Sequence, residues 1–96
     1  MSRGGDMTIK EAVERMLEVY KLRRKFDETA LIAAWPELMG PAIANRTERL
    51  YISNRKLYIT VESAVIKNEL LLMRSQIIGR MNEYVGQVVI EDIVVR

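Results

Sequence analysis

From Ile9 onward apolar residues return every three or four positions, at Ile9, Ala12, Val13, Met16, Leu17 and Tyr20, which puts one apolar stripe on a helix running to about Leu22. Thr8 and Glu11 stand at the spacing of a capping box and mark its start. Lys10, Glu14, Glu18 and Lys21 fall on the wetter side. A second helix is expected from Asp27, a good cap residue, with Ala30, Leu31, Ala34, Trp35 and Leu38 turned inward. Pro36 has no amide to donate and disfavours a helical residue before it, so this helix should kink or end near Trp35, with a short turn reaching Met39-Gly40. Pro41 then suits the first turn of a short helix ending at Asn45.

The period changes after Arg46. Leu50, Ile52, Leu57, Ile59 and Val61 alternate with Tyr51, Tyr58, Thr60 and Glu62, and Asn54-Arg55 sits between the two runs, where asparagine tolerates a left-handed turn. An antiparallel hairpin over Arg49–Ser53 and Leu57–Glu62 follows. Ser63 can cap a long helix from Ala64 to Val85, ended by Gly86. Ile66, Leu70, Met73, Ile77, Met81 and Tyr84 make one stripe on it, with Leu71, Ile78 and Val85 beside it, and Leu72 is stranded on the polar side. Val88–Val95 is rich in β-branched residues and too short for another helix, so it is read as a third strand. The expected fold is α+β, in the order α-α-β-β-α-β, with a three-stranded sheet packed against a long helix. Residues 1–7 are expected to be a disordered leader and residues 8–96 a single domain.

Ninety-six residues suffice for one core without staples. Cysteine and histidine are both missing, which removes disulfides, thiolate sites, the commonest metal ligand and the commonest general base. Glu91 and Asp92 are neighbours on an expected strand, so their side chains diverge, and Ser53 and Ser63 have no histidine to activate them. The expectation is therefore no catalytic residues, no cofactor, no metal and no small-molecule substrate. No phosphate-cradling or dinucleotide glycine motif occurs. The N-terminus lacks an apolar signal core and no run approaches a membrane span, so a cytoplasmic protein without membrane contact is expected.

Fifteen basic against thirteen acidic residues leave a net charge of +2, which says little by itself; their arrangement says more. Lys21, Arg23, Arg24 and Lys25 form a basic run between the first two expected helices, suited to neutralising phosphates or simply to a solvated connector. Arg46, Arg49, Arg55 and Lys56 gather around the hairpin beside Tyr51 and Tyr58, which face away from the expected core. Aromatic rings beside arginines can stack unpaired bases without reading sequence, although tyrosines also suit a half-exposed sheet by propensity alone. Trp35, flanked by Ala33, Ala34 and Leu38, is read as a core anchor.

The order Trp35-Pro36-Glu37-Leu38-Met39-Gly40, then Ile43-Ala44, then Leu57, Ile59 and Val61 in alternation, then a helix opening near Glu69-Leu70 and closing at Met81-Asn82 before Gly86, resembles the DciA-type domain of bacterial replicative-helicase loaders. The resemblance spans about two-thirds of the chain. It implies a KH-like fold of the helix-first type and a nucleic-acid and helicase-associated role in DNA replication. The chain departs from true KH domains in having no G-x-x-G loop, so the usual RNA clamp is not implied. The function expected is a non-catalytic nucleic-acid-binding module, single-stranded DNA favoured, that assists the replicative helicase. The alternatives are a protein–protein adaptor with little direct DNA contact and an RNA-binding KH-like domain.

Overall fold

One helix of 31 residues, α1 (Ile9–Met39), runs through both of the first two expected helices. The computed structural model describes residues 7–96, so the expected leader lies, apart from Met7, outside the described residues. The start is as read: the Glu11 amide donates to Thr8 Oγ1 and the Thr8 amide to Glu11 Oε1, both at 3.0 Å. The expected break at Asp27 is absent. Lys21–Phe26 contains no glycine, proline or β-branched residue to interrupt the helical ladder, and charge density alone does not stop a helix. Asp27 is no cap: it is 4% exposed, accepts from the Gln87 side-chain amide, and lies 3.5 Å from Arg23 one turn earlier. Pro36 sits inside the last turn, where it forfeits one backbone bond without ending the helix. Gly40, at φ +86°, stops it and donates its amide to the Pro36 carbonyl at 2.8 Å. Pro41 opens a four-residue helix, α2 (Pro41–Ala44).

The hairpin pairs β1 (Thr47–Ser53) with β2 (Lys56–Val61), with a bulge between Thr47 and Arg49. Asn54 and Arg55 both take positive φ, +52° and +65°, the two-residue turn whose twist matches the strands. The long helix is interrupted at Met73 into α3 (Ala64–Leu72) and α4 (Arg74–Val85), capped by Ser63 at one end and by left-handed Gly86 at the other. Together they form the crossover that a parallel neighbour requires. β3 (Asp92–Val95) therefore runs parallel to β2, and the sheet order is β1-β2-β3. The third strand is shorter than expected because Val88–Ile90 does not pair. Asn82 holds that segment instead, accepting from the Val89 and Ile90 amides and donating to the Ile90 carbonyl, each at 2.9 Å.

The core lies between the sheet's inner face and the helices. Leu57, Ile59, Val61 and Ile93 meet Leu31, Trp35, Leu70, Ile77 and Met81, with Val89 and Ile90 closing one end. Trp35 is 3% exposed; its indole N–H donates to Thr47 Oγ1 at 3.0 Å, and that hydroxyl donates to the Ile43 carbonyl at 2.8 Å. Two residues of the long-helix stripes, Leu71 and Tyr84, are exposed rather than buried. The larger departure is in α1. The apolar stripe from Ile9 to Tyr20 exists, but those residues stand outside the core, and the helix projects from the body, so that the molecule with its projecting helix measures 66 Å along its longest axis and 20 Å by 19 Å across.

Thr47→Val leaves the buried indole donor without an acceptor, so it should lower unfolding free energy by about 1–3 kcal/mol with an unchanged m-value in urea titration. Asp92 joins β3 to α4: Arg74 Nε donates to its carboxylate at 2.8 Å, and this guanidinium, aided by the Ile93 amide, holds its pKa below the ordinary carboxylate value. A depressed carboxyl stabilises the fold above the unfolded-chain pKa, and the contribution fades as pH falls through the folded value. Carboxyl NMR titration should show a low midpoint for Asp92 that moves upward in Arg74→Gln.

Candidate nucleic-acid interface

Strand alternation turns Leu50, Ile52, Leu57, Ile59, Ile93 and Val95 toward the helices and leaves the intervening residues on the other face. The registers set these outward residues in three rows across the sheet. Ser53, Lys56 and Asp92 form the row nearest the turn, and Tyr51, Tyr58 and Val94 the middle one. Arg49 lies opposite Thr60, and Arg96 extends the ladder past β3, donating its amide to the Ile59 carbonyl at 2.8 Å while its carbonyl accepts from Val61 at 3.1 Å. The third row is thus Arg49, Thr60 and Arg96.

Tyr51 and Tyr58 are directly opposed across the hairpin and stack with centroids 4.7 Å apart and planes within 6°. The Arg49 guanidinium lies 5.1 Å from the Tyr51 centroid, and that of Arg96 lies 5.2 Å from the Tyr58 centroid. Since each tyrosine gives one face to the other, the guanidinium groups occupy the remaining faces. The result is a four-membered ladder, Arg49, Tyr51, Tyr58, Arg96, on a face that contributes nothing to the core. Arg96 is absent from the residues expected from sequence. It belongs to no basic cluster, and its one sequence signal is that it continues the outward alternation of Asp92 and Val94.

The other expected cations divide into engaged and free. Arg55 is a tether: it donates to the Tyr20 hydroxyl at 3.0 Å and the Val88 carbonyl at 3.2 Å, and lies 3.7 Å from Glu91. Arg23 pairs with Asp27 and Arg24 with Glu28, both at 3.5 Å, one helical turn apart. Among the described residues Lys21, Lys25, Arg46, Arg49, Lys56 and Arg96 enter no ion pair. Lys25 lines a shallow crevice between α1 and β1 together with Tyr51, so one member of the basic run reaches the edge of the ladder. Lys56 lies beside Asp92, two residues from Tyr58 and at the turn end of the face. Beyond Arg49 the face ends at Glu48 and Glu62, whose proximity pushes the Glu48 carboxyl above its ordinary pKa. The attractive zone is bounded by that acidic pair.

Among the described residues no group of three or more histidine, cysteine, aspartate or glutamate side chains is placed to hold a metal ion, and no helix is long and apolar enough to cross a membrane. No curated protein and no solved structure matches the chain. The family model described as "Dna[CI] antecedent, DciA" matches residues 8–95, which takes in α1, the hairpin, the crossover helices and β3. The chain therefore belongs to the DciA family, a membership that implies association with the replicative helicase and is consistent with a part in its loading during DNA replication.

Proposed function

We propose that this chain is a non-catalytic module that binds single-stranded DNA through the outer face of its sheet while it assists the replicative helicase. The observation that carries the reading is the Arg49–Tyr51–Tyr58–Arg96 ladder, two stacked rings with an arginine over each free face. A duplex offers no unpaired base to such a ladder, whereas a single strand does. An exposed cation–π contact is worth about 0.5–1 kcal/mol, and a base stacked on an aromatic ring about 1–3 kcal/mol. Exchange of a guanidinium for a base is therefore favourable, and the displaced arginine is left beside the adjoining phosphate. Arg46, Lys56 and Lys25 extend the positive field along the strand's path, and nothing in the arrangement reads base edges.

Binding of a labelled oligothymidine at two ionic strengths tests the reading. Affinity should fall as salt rises with a logarithmic slope of about −0.7 per phosphate neutralised. Arg49→Ala and Arg96→Ala should each make the slope shallower by about 0.7, whereas Tyr58→Leu should weaken binding severalfold and leave the slope unchanged. Duplex DNA should bind more weakly than the single strand at matched length. Absence of binding at low salt, or equal retention in all three variants, overturns the proposal in favour of a protein adaptor. Stronger binding of an RNA of the same sequence would move it to the RNA-binding alternative.

A further inference from the structure

Leu50 and Ile52 carry backbone N–H and C=O groups that the sheet does not use. Within β2 the backbones of Arg55, Ile59 and Val61 bond toward the β3 side, at Glu91 and Arg96. Alternation therefore points Lys56, Tyr58 and Thr60 toward β1, where their partners are Ser53, Tyr51 and Arg49. Leu50 and Ile52 lie between these and turn their amides and carbonyls to the open edge, where among the described residues no other segment bonds them. The opposite edge of the sheet is guarded. The Ile93 amide, which faces away from β2, donates to Asp92 Oδ1 at 2.7 Å, and Arg74 of α4 holds that carboxylate in place. β1 has no such guard along its open stretch, which the bulge near Glu48 ends on one side and the Asn54-Arg55 turn on the other.

Lys25, Thr29 and Ile32 of α1 stand over this edge and, with Leu50, Tyr51 and Ile52, line a crevice of about 230 Å³. Glu28 also borders it and is paired with Arg24. Trp35 and Thr47 are bonded, and from that point the two elements run back along each other. Ten residues of helix cover about 15 Å and five of strand about 17 Å, so Lys25 stands level with Ile52. Lys25 lies on the inner side of the edge, and Arg49 covers the ring face that Tyr51 turns outward beside it. Neither cation enters an ion pair among the described residues. An extended backbone presents donors and acceptors at the spacing of Leu50 and Ile52, and the two cations ask for carboxylates on it. A second copy of β1 does not supply them: paired with itself about Tyr51, it would bring two Arg49 groups onto adjoining rings, and Leu50–Ser53 contains no acid for Lys25.

We propose that the open edge of β1 takes up an extended, acidic segment of a partner protein as a fourth strand, antiparallel to β1. A carboxylate opposite Ile52 reaches Lys25, a second opposite Tyr51 reaches Arg49, and an apolar side chain opposite Leu50 enters the crevice. DNA bound on the outer face draws on the same two cations, so the test contains none. The full chain, isotope-labelled for NMR, is titrated with the acetylated and amidated hexapeptide Val-Thr-Glu-Glu-Val-Thr. The Leu50 and Ile52 amides should shift downfield and exchange more slowly with solvent, while the Ile93 amide keeps its position. Lys25→Glu should weaken the peptide severalfold, and a peptide with lysine as its third residue should recover what that variant loses. N-methylation of the fifth residue, whose amide donates to the Leu50 carbonyl, should abolish binding although every side chain is kept. Unmoved Leu50 and Ile52 amides at millimolar peptide, equal binding of the N-methylated peptide, or failure of the charge exchange to recover affinity overturns the proposal. The same shifts on raising the protein concentration alone would give the edge to a second copy, and their appearance with oligothymidine but not with peptide would give it to DNA; either result overturns it as well.

Discussion

Burial of the central strand on one side sets the terms for the rest of the molecule. Leu57 and Ile59 are wholly enclosed, and they can be so because β2 has a strand on each edge and Leu31, Trp35, Leu70 and Ile77 above it. The helical surface available to do this is limited to the C-terminal third of α1 and the inner stripe of α3 and α4. It covers one face of a three-stranded sheet and no more. Trp35 closes the layer and is fixed by its bond to Thr47, whose hydroxyl is itself committed to the Ile43 carbonyl, so α1, α2 and β1 are locked at one point. The opposite face keeps its tyrosines half-buried because they shelter one another.

That asymmetry explains the sorting of the cations. Arginines within reach of a carboxylate or an open carbonyl are held: Arg23 and Arg24 on α1 by Asp27 and Glu28 one turn on, Arg55 at the hairpin by Val88 and Glu91, and Arg74 on α4 by Asp92. Arg49 and Arg96, in the outer row beside the tyrosines, find aromatic rings instead. A ring fixes the direction of a guanidinium without neutralising it, which leaves Arg49 and Arg96 charged and released by a modest input of energy. A net charge of +2 conveys none of this.

Features that depend on a few neighbouring residues were legible in the sequence. The Thr8–Glu11 box, the Ser63 cap, the Asn54-Arg55 turn, the left-handed Gly86 and the outward set of Tyr51 and Tyr58 all follow from local chemistry, and each is found where expected. Trp35 was legible because one indole among alanines and leucines has few alternatives. Misreadings arose where a local signal served a distant partner. Asp27 has the identity of a cap and the task of receiving Gln87 sixty positions later. Pro36 looks like a terminus, yet the helix end is near enough for one lost bond to be tolerated. Amphipathicity of Ile9–Tyr20 was real, but periodicity reports a face and is silent about what lies against it. Arg96 was missed because the ladder forms across strands 47 positions apart, which the order of residues does not display.

Arg55 has one more implication. It bends the chain in a left-handed conformation that a side chain adopts at some cost, and its guanidinium fastens Tyr20 on the helix and Val88 on the last loop. Glycine would suit the backbone better there and would release both segments. The hairpin tip is thus a clasp whose conformational discomfort is tolerated for its grip, and the direction in which the long helix leaves the body is set by a residue that belongs to the sheet.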